Sequence, residues 1–388
     1  MSVSIVGWAH APFGKFDQLD LETLIAGVAR EAIKDADVDA ADVDGIWLGN
    51  LNGGFVPDIF CSSLVLQADD RLRWKPAVRV ENACASGSAA IYGAIQAIES
   101  GAAKIALVVG AEKMSGVPGR DATRILGNCS YVKEEASIDQ GFAGIFGLVA
   151  DAYFARHGNQ SEALARIAAK NHQNGTFNRW AHMRKDLGFE FCNTVSEKNP
   201  LIAGPLRKTD CSLVSDGAAA LVLADDALLG DFRRAVGFKA TAHVNDFLPM
   251  SRRDPVEFAG PRRAWATALE KAGIGVWDLS FAEVHDCFTI AELLTYEAMG
   301  LTDEGQGARA IDGGMVQKSG RLPVNVSGGL KAKGHPIGAT GVSMHAISAM
   351  QLCGEAGDMQ LPAPHLGGVF NMGGSAVANY VSILERTK

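Results

Sequence analysis

The apolar positions change period along the chain. Residues 4–7 open as a strand, and Leu21, Leu24, Ile25, Val28, Ala32 and Ile33 then recur at the spacing of one helix face. Residues 45–48 and 77–81 are short β-type runs, and 86–98 carry an Ala/Ile-rich helical pattern. Residues 105–109 are continuously apolar, as expected of a strand covered by helices on both faces. Strands alternating with helices predict an α/β protein built on a parallel sheet. Between 116 and 206 the texture is less periodic and richer in Asn, His, Arg and aromatics, with one clear helix over 161–175. Residues 215–224 return to a buried strand. A polar segment that leaves a sheet and re-enters it forms a lid or binding region.

The chain also resembles itself. AREAIKDADVDAADVDGIWLGN (29–50) lies without gaps on WATALEKAGIGVWDLSFAEVHD (265–286), with Ala36 on Ala272, Val38 on Ile274, Asp42 on Asp278 and Leu48 on Val284. Each copy reads as an amphipathic helix, an acidic turn and a buried strand. The turn Asp in matching register makes duplication the better reading, so two related α/β halves are expected.

Composition narrows the function classes. The 388 residues hold 36 Lys+Arg against 44 Asp+Glu, a formal charge of −8, and 47% of them are hydrophobic. Such a chain builds real cores in two or three domains and is not disordered. An acidic balance without a basic run argues against nucleic acid as a partner. The seven cysteines, at 61, 84, 129, 192, 211, 287 and 353, form no C-x-x-C pair. They suggest neither a disulfide framework nor a zinc pattern, and point to a reducing, cytoplasmic setting. The N-terminus does not read as a signal peptide, no run approaches the roughly 20 apolar residues of a membrane span, and the C-terminus carries no targeting signal.

Three segments carry candidate chemistry. In VENACASG (80–87), Cys84 ends a strand and begins a small-residue helix, where the helix dipole would lower its pKa. Taken alone, the same cysteine also reads as a buried apolar side chain. In NVSGGLKAKGHPIGATG (325–341), a Gly-rich loop presents His335 where a phosphate-binding loop needs Lys. In EVHDCF (283–288), His285 and Cys287 follow a buried strand, at the end where α/β sheets bind ligands. The pair could be half of a metal site, but no further ligand spacing accompanies it, and no metal is expected. A Gly-x-Gly-x-x-Ala string at 305–310 follows no strand and is no dinucleotide signal.

These segments, together with VFNMGGSA (369–376), GPRRA (260–264) and SDGAAALVLA (215–224), occur in the order of the thiolase superfamily, which the whole chain resembles. The HDCF form resembles its sterol-carrier-protein type branch. The resemblance implies a thiolase fold: two duplicated βαβαβαββ halves in an αβαβα layering with an inserted loop domain. Residues 1–115, completed by 207–228, would form the N-terminal half, 116–206 the insertion that binds CoA and the acyl group, and 229–388 the C-terminal half. By motif, Cys84 would be the acylated nucleophile and His335 its activating base. Cys287 would be the second acid/base, and His285 would hold the thioester oxygen as an enolate forms. The amides of Cys84 and Gly373 would form the other oxyanion hole. Most thiolases carry a further cysteine where this chain has Asn371, so its acid/base work would fall to Cys287.

The implied activity is acyl-CoA C-acyl transfer, making or cleaving a 3-ketoacyl-CoA, with CoA and acyl-CoA as substrates and no resident cofactor. Alternatives are an acyl-CoA hydrolase, an acyl-CoA-binding scaffold subunit, or retro-aldol cleavage on the same fold. Arg207, Lys208, Arg184 and Lys185, with Arg179, are candidate cations for the CoA phosphates, and each also reads as solvated surface charge. Cys129 is a candidate for the acyl pocket lining, and Cys61, Cys192, Cys211 and Cys353 read as fillers. The resemblance further implies a homodimer or dimer of dimers, and in some relatives a small OB-fold partner protein.

Overall fold

Burial of the periodic faces identified above sets the architecture of residues 2–388, which the computed structural model describes. In chain order the N-terminal elements are β1 (Val3–His10), α1 (Leu21–Ala36), β2 (Gly45–Gly49), β3 (Ala77–Val80), α2 (Ser86–Glu99) and β4 (Ile105–Glu112). The next segment holds α3 (Gly119–Gly127), α4 (Phe142–His157) and α5 (Ser161–Phe177), and β5 (Gly217–Asp225) follows. The remainder comprises β6 (Val236–Asn245), α6 (Ala259–Ala272), β7 (Phe281–Val284), α7 (Thr289–Ala298), α8 (Gly329–Lys333), α9 (Ile337–Cys353), β8 (Leu366–Gly373) and β9 (Ala378–Arg386).

The repeat read from the sequence recurs in the backbone. Helices α1 and α6 end at the aligned residues Ala36 and Ala272, and each is closed by a left-handed residue, Asp37 (φ 55°) or Gly273 (φ 68°). The next amide then turns back in both copies, Val38 N to the Ile33 carbonyl (3.2 Å) and Ile274 N to the Leu269 carbonyl (3.1 Å). This is the helix stop that satisfies otherwise orphaned carbonyls. Short 3-10 turns follow at Ala40–Asp42 and Val276–Asp278, and the strands β2 and β7 follow those.

Nine strands form one sheet in the order β3-β2-β4-β5-β1-β6-β9-β8-β7. In the first half β2 and β4 are parallel, while β5 lies antiparallel between β4 and β1. The second half repeats this: β7 and β8 are parallel, and β9 lies antiparallel between β8 and β6. A bridge from Ala282 to Val324 stands in place of the outer strand. The halves join where Ser4 and Ile5 pair with Gly237 and Val236. The sheet is therefore mixed, not parallel as the alternation suggested, because β5 and β9 each return beside the strand their half has just finished. Helix α1 packs on β1, β4 and β5, and α6 on β6 and β9. Helices α2 and α9 pack on each other, with α9 touching both β4 and β8, which gives the αβαβα layering.

Between β4 and β5 the chain adds no strand to this sheet. Its two ends are held together by the buried Asp216, whose carboxylate accepts from Lys113 Nζ (2.7 Å) and from the amides of Met114 (2.8 Å), Ser115 (2.7 Å) and Phe16 (3.0 Å). Helix α4 was invisible in the hydrophobic pattern. It contains Gly144 and Gly147 and is apolar around most of its circumference, so no helix period stands out. No described helix is long and apolar enough to cross a membrane.

The inner helices meet through glycine. A Cβ on Gly87 would lie 2.7 Å from the Gly338 carbonyl, and one on Gly338 would lie 2.5 Å from the carbonyls of both Ala111 and Gly49. Gly338→Ala is expected to destabilise the protein by about 2–3 kcal/mol or more, because backbone oxygens cannot move aside. Gly27→Ala, on α1 with open space around it, is expected to stabilise by about 1 kcal/mol. Chemical denaturation of both variants reads these signs, and an unperturbed Gly338→Ala would contradict the packing described.

Candidate active site

Segments from both halves converge at the N-terminal ends of the inner helices. Cys84 lies between β3 and α2, and His335 lies between α8 and α9. His285 follows β7 directly. A thiol or ring-nitrogen atom from each of Cys84, His285 and His335 falls within 4.8 Å of the other two. The two imidazoles stand edge to face, with centroids 5.1 Å apart and planes at 88°.

The loop carrying His335 is held by the EVHDCF segment residue by residue. The buried Glu283 carboxylate accepts from Ser327 N (3.0 Å) and Ser327 Oγ (2.5 Å). Asp286 accepts from the amides of Leu330 (2.6 Å) and Lys331 (3.2 Å) at the start of α8, and from Asn171 Nδ2 (2.8 Å) on α5. A Cβ on Gly329 would lie 2.2 Å from Asp286 Oδ2, so the glycine, at φ 57°, is what permits this contact. Phe288 stacks on Phe146 of α4 at 4.7 Å. A second carboxylate crosses between halves: Glu112, ending β4, accepts from Leu51 N (2.9 Å), Asn52 N (2.8 Å) and Gly338 N (3.0 Å) in the first turn of α9. Burial raises its pKa to about 7 despite these donors.

The hydrogen bonds define the state of His335. Its Nδ1 lies 2.7 Å from Thr340 Oγ1, and that hydroxyl donates its own proton to the Pro336 carbonyl (3.0 Å). Nδ1 therefore carries the ring proton and donates it to Thr340. Nε2 is left as a lone pair with no hydrogen-bond partner among the described residues. Burial, and then the nearby Lys333 charge, lower the imidazole pKa to about 3, so it is neutral at physiological pH. His285 is also pushed well below its ordinary value, by burial first and then by His335 and Lys333. Its Nδ1 is 2.9 Å from Asn371 Nδ2, and its Nε2 has no partner among the described residues.

Cys84 corrects one expectation. Burial pushes its thiol up to about 12, although the Gly374 N–H and its own amide donate to the sulfur. Desolvation of the charged form outweighs the helix end, so the resting residue is a thiol and not the thiolate the motif suggested. The Gly374 N–H that donates to the sulfur adjoins Gly373, the residue the motif assigns to the oxyanion hole. Cys287 is 6% exposed. Its thiol is raised well above 9 by burial first, then by Cys84 and Asp286.

One of the proposed phosphate-binding cations is buried. Arg207 is 2% exposed and spent on Asp210 (2.9 Å), Asn193 (3.1 Å) and the Ser161 carbonyl (2.6 Å). It braces α5 and cannot meet a ligand, which corrects that expectation. Arg179, Arg184, Lys185 and Lys208 are exposed. Beside Cys84 lies a cavity of about 730 Å³, whose lining includes Ala83, Gly374, Cys129, Asn128 and Arg79. Arg79, on β3, was not singled out from the sequence, because nothing in its local pattern distinguishes it from other surface cations. The thiol and two imidazoles are donors of the kind that hold zinc.

A buried thiol and a neutral imidazole, brought from the two halves of a duplicated layered α/β fold, are the setting in which the class is read. Residues 3–227 match the thiolase N-terminal domain family, and residues 242–386 match the thiolase C-terminal domain-like family. The chain belongs to the thiolase family, in the branch that includes sterol carrier protein 2. It is 35% identical over 390 residues, 99% of each chain, to an acetyl-CoA acetyltransferase of Methanothermobacter thermautotrophicus. It is 32% identical to sterol carrier protein 2 of Homo sapiens, over 97% of this chain and 70% of that one. Among solved structures, the Ltp2-ChsH2(DUF35) aldolase superposes with a TM-score of 0.85 at 20% identity, covering 99% of this chain and 97% of that one. Human mitochondrial 3-ketoacyl-CoA thiolase in complex with CoA superposes with a TM-score of 0.76 at 19% identity, covering 100% and 98%.

Proposed function

We propose that this protein is a thiolase-type acyl-CoA C-acyltransferase working through an acyl-Cys84 thioester, with CoA and acyl-CoA as its substrates. The observation that carries the reading is the neutral His335 Nε2 lone pair, free among the described residues and close to the Cys84 thiol.

In the cleavage direction, Cys84 Sγ attacks the ketone carbon of a 3-ketoacyl-CoA while His335 Nε2 takes the thiol proton. The amides of Cys84 and Gly373 stabilise the oxygen that becomes negative. Collapse breaks the carbon–carbon bond, leaves the acyl group on Cys84 and expels an acetyl-CoA enolate, whose oxygen His285 holds. Cys287 is a thiol at rest, the state that can protonate that enolate. Free CoA then gives its thiol proton to the Cys287 thiolate and attacks the acyl group. Cys84 leaves and recovers its proton from His335. Synthesis is the reverse sequence. Asn371 cannot shuttle a proton near neutral pH, so the second acid/base role rests on Cys287.

Incubation with a 3-ketoacyl-CoA in the absence of free CoA, followed by intact-mass analysis, should show one acyl group per chain, absent in Cys84→Ala. Cys287→Ala should still be acylated by acyl-CoA, yet fail to exchange the α-protons of acetyl-CoA and lose about 10²-fold or more in carbon–carbon turnover. Full turnover in Cys287→Ala would remove it from the mechanism. No adduct from any acyl-CoA would favour a binding subunit.

The chain works as a homodimer in this reading, and the free edge of the sheet supports it. Strand β3 is outermost. Val78 on it is 47% exposed, with Ile59, Phe60 and Trp74 nearby in sequence exposed by 75% or more. A second copy across β3 would pair the edge and cover these groups. Sedimentation of the purified chain is expected to give a dimer, and a monomer at micromolar concentration would contradict this. The seven cysteines, all free, suit a reducing, cytoplasmic setting.

A further inference from the structure

Asn371 stands where the family resemblance implies a cysteine, and the mechanism above leaves it idle. We infer that Asn371 is a positioning residue: its amide fixes His285 with the ring proton on Nε2, the tautomer opposite to that of His335. This deepens the proposed function and rests on it only for what His285 does with that proton.

The inference follows from counting donors. Asn371 is fully buried in β8. Its Nδ2 lies 3.1 Å from the Cys84 carbonyl and 2.9 Å from His285 Nδ1, and its Oδ1 accepts from Ser88 Oγ at 2.8 Å. The Cys84 carbonyl can only accept. Turning the amide over would face two oxygens across that 3.1 Å contact, so the NH₂ must point toward Cys84 and His285. Both of its protons are then committed, and His285 Nδ1 must be the acceptor. The ring proton sits on Nε2, the nitrogen left unpartnered in the site.

Helix α9 makes room for this tether. A Cβ on Gly341 would lie 2.6 Å from Asn371 Oδ1 and 2.4 Å from Ser88 N. A cysteine at 371 has one weak donor and could serve the Cys84 carbonyl or His285, not both.

Two nearby imidazoles thus take different work. His335 offers a lone pair and accepts the Cys84 proton, while His285 offers N–H and donates to the oxygen of the leaving enolate. The same protonation makes the Cys84, His285 and His335 cluster a poor metal site. Ligation needs a lone pair on His285 Nε2, which would turn Nδ1–H against the Asn371 NH₂.

The test is a long-range ¹H–¹⁵N correlation spectrum of the full chain labelled with ¹⁵N-histidine near pH 7.5, with His285→Gln and His335→Gln used for assignment. The wild type should show His285 protonated at Nε2 and His335 at Nδ1. In Asn371→Asp, whose carboxylate only accepts, the His285 proton should move to Nδ1 while His335 stays unchanged. That variant should acylate Cys84 within about threefold of wild type but lose about 10²-fold in the carbon–carbon step, with KM little altered. A wild-type His285 protonated at Nδ1 overturns the inference even if the variant does not fold. Full turnover in a folded Asn371→Asp with the proton moved overturns the positioning role. Neither result bears on acylation: failure of the acyl-Cys84 reading would show instead as a wild type that forms no adduct.

Discussion

Backbone contact between α2 and α9 is the constraint on which the rest depends. Gly87, Gly110 and Gly338 leave no room for a methyl group where the two helices and β4 meet. Glu112, at the end of β4, accepts the Gly338 amide, so a carboxylate of one half caps the helix of the other. Cys84 leads into α2 and His335 leads into α9, and the close contact brings them together. Neither half contains both residues. Cys84 enters its helix from a strand and His335 enters its helix from another helix, and the packing of α2 against α9 turns two separate loops into one site.

That packing also sets the electrostatics. A cysteine ahead of a helix on the surface would ionise more readily, yet here burial dominates and the thiol stays protonated. The same burial, with the Lys333 charge, keeps both imidazoles neutral. A neutral thiol beside a neutral base stores no charge separation at rest. In the proposed reaction, proton transfer accompanies attack on the acyl carbonyl, as the amides of Cys84 and Gly373 face the developing oxyanion. Cys287, Asp286 and Glu112 are raised by the same burial, so the chemistry belongs to the environment as much as to the residue types.

Much of this was legible in the chain. The gapless match of 29–50 on 265–286 foretold helix ends and turns that recur in the structure, because an αL stop and a 3-10 turn are local events written in local residues. Cys84, His335, His285 and Cys287 stood out by motif, and the first three lie together. What was not legible depended on distant partners. The antiparallel return of β5 follows from where the segment after β4 re-enters the sheet. Arg207 reads as a surface cation until Asp210 and the Ser161 carbonyl are seen around it. The thiol state of Cys84 needs the packed site, and the role of Asn371 needs the Cys84 carbonyl, His285 and Ser88, which lie 287, 86 and 283 residues away.

The central claim is that Cys84 and His335 rest as a neutral pair across the contact between the halves. The direct measurement is the rate of Cys84 alkylation by iodoacetamide against pH, followed by peptide mass in wild type and in His335→Ala. A thiol raised to about 12 is protonated throughout the accessible range. The wild-type rate should therefore climb steadily from pH 6 through pH 9 without levelling. A plateau reached near pH 6–7 and lost in His335→Ala would reveal a standing thiolate–imidazolium pair and contradict the account.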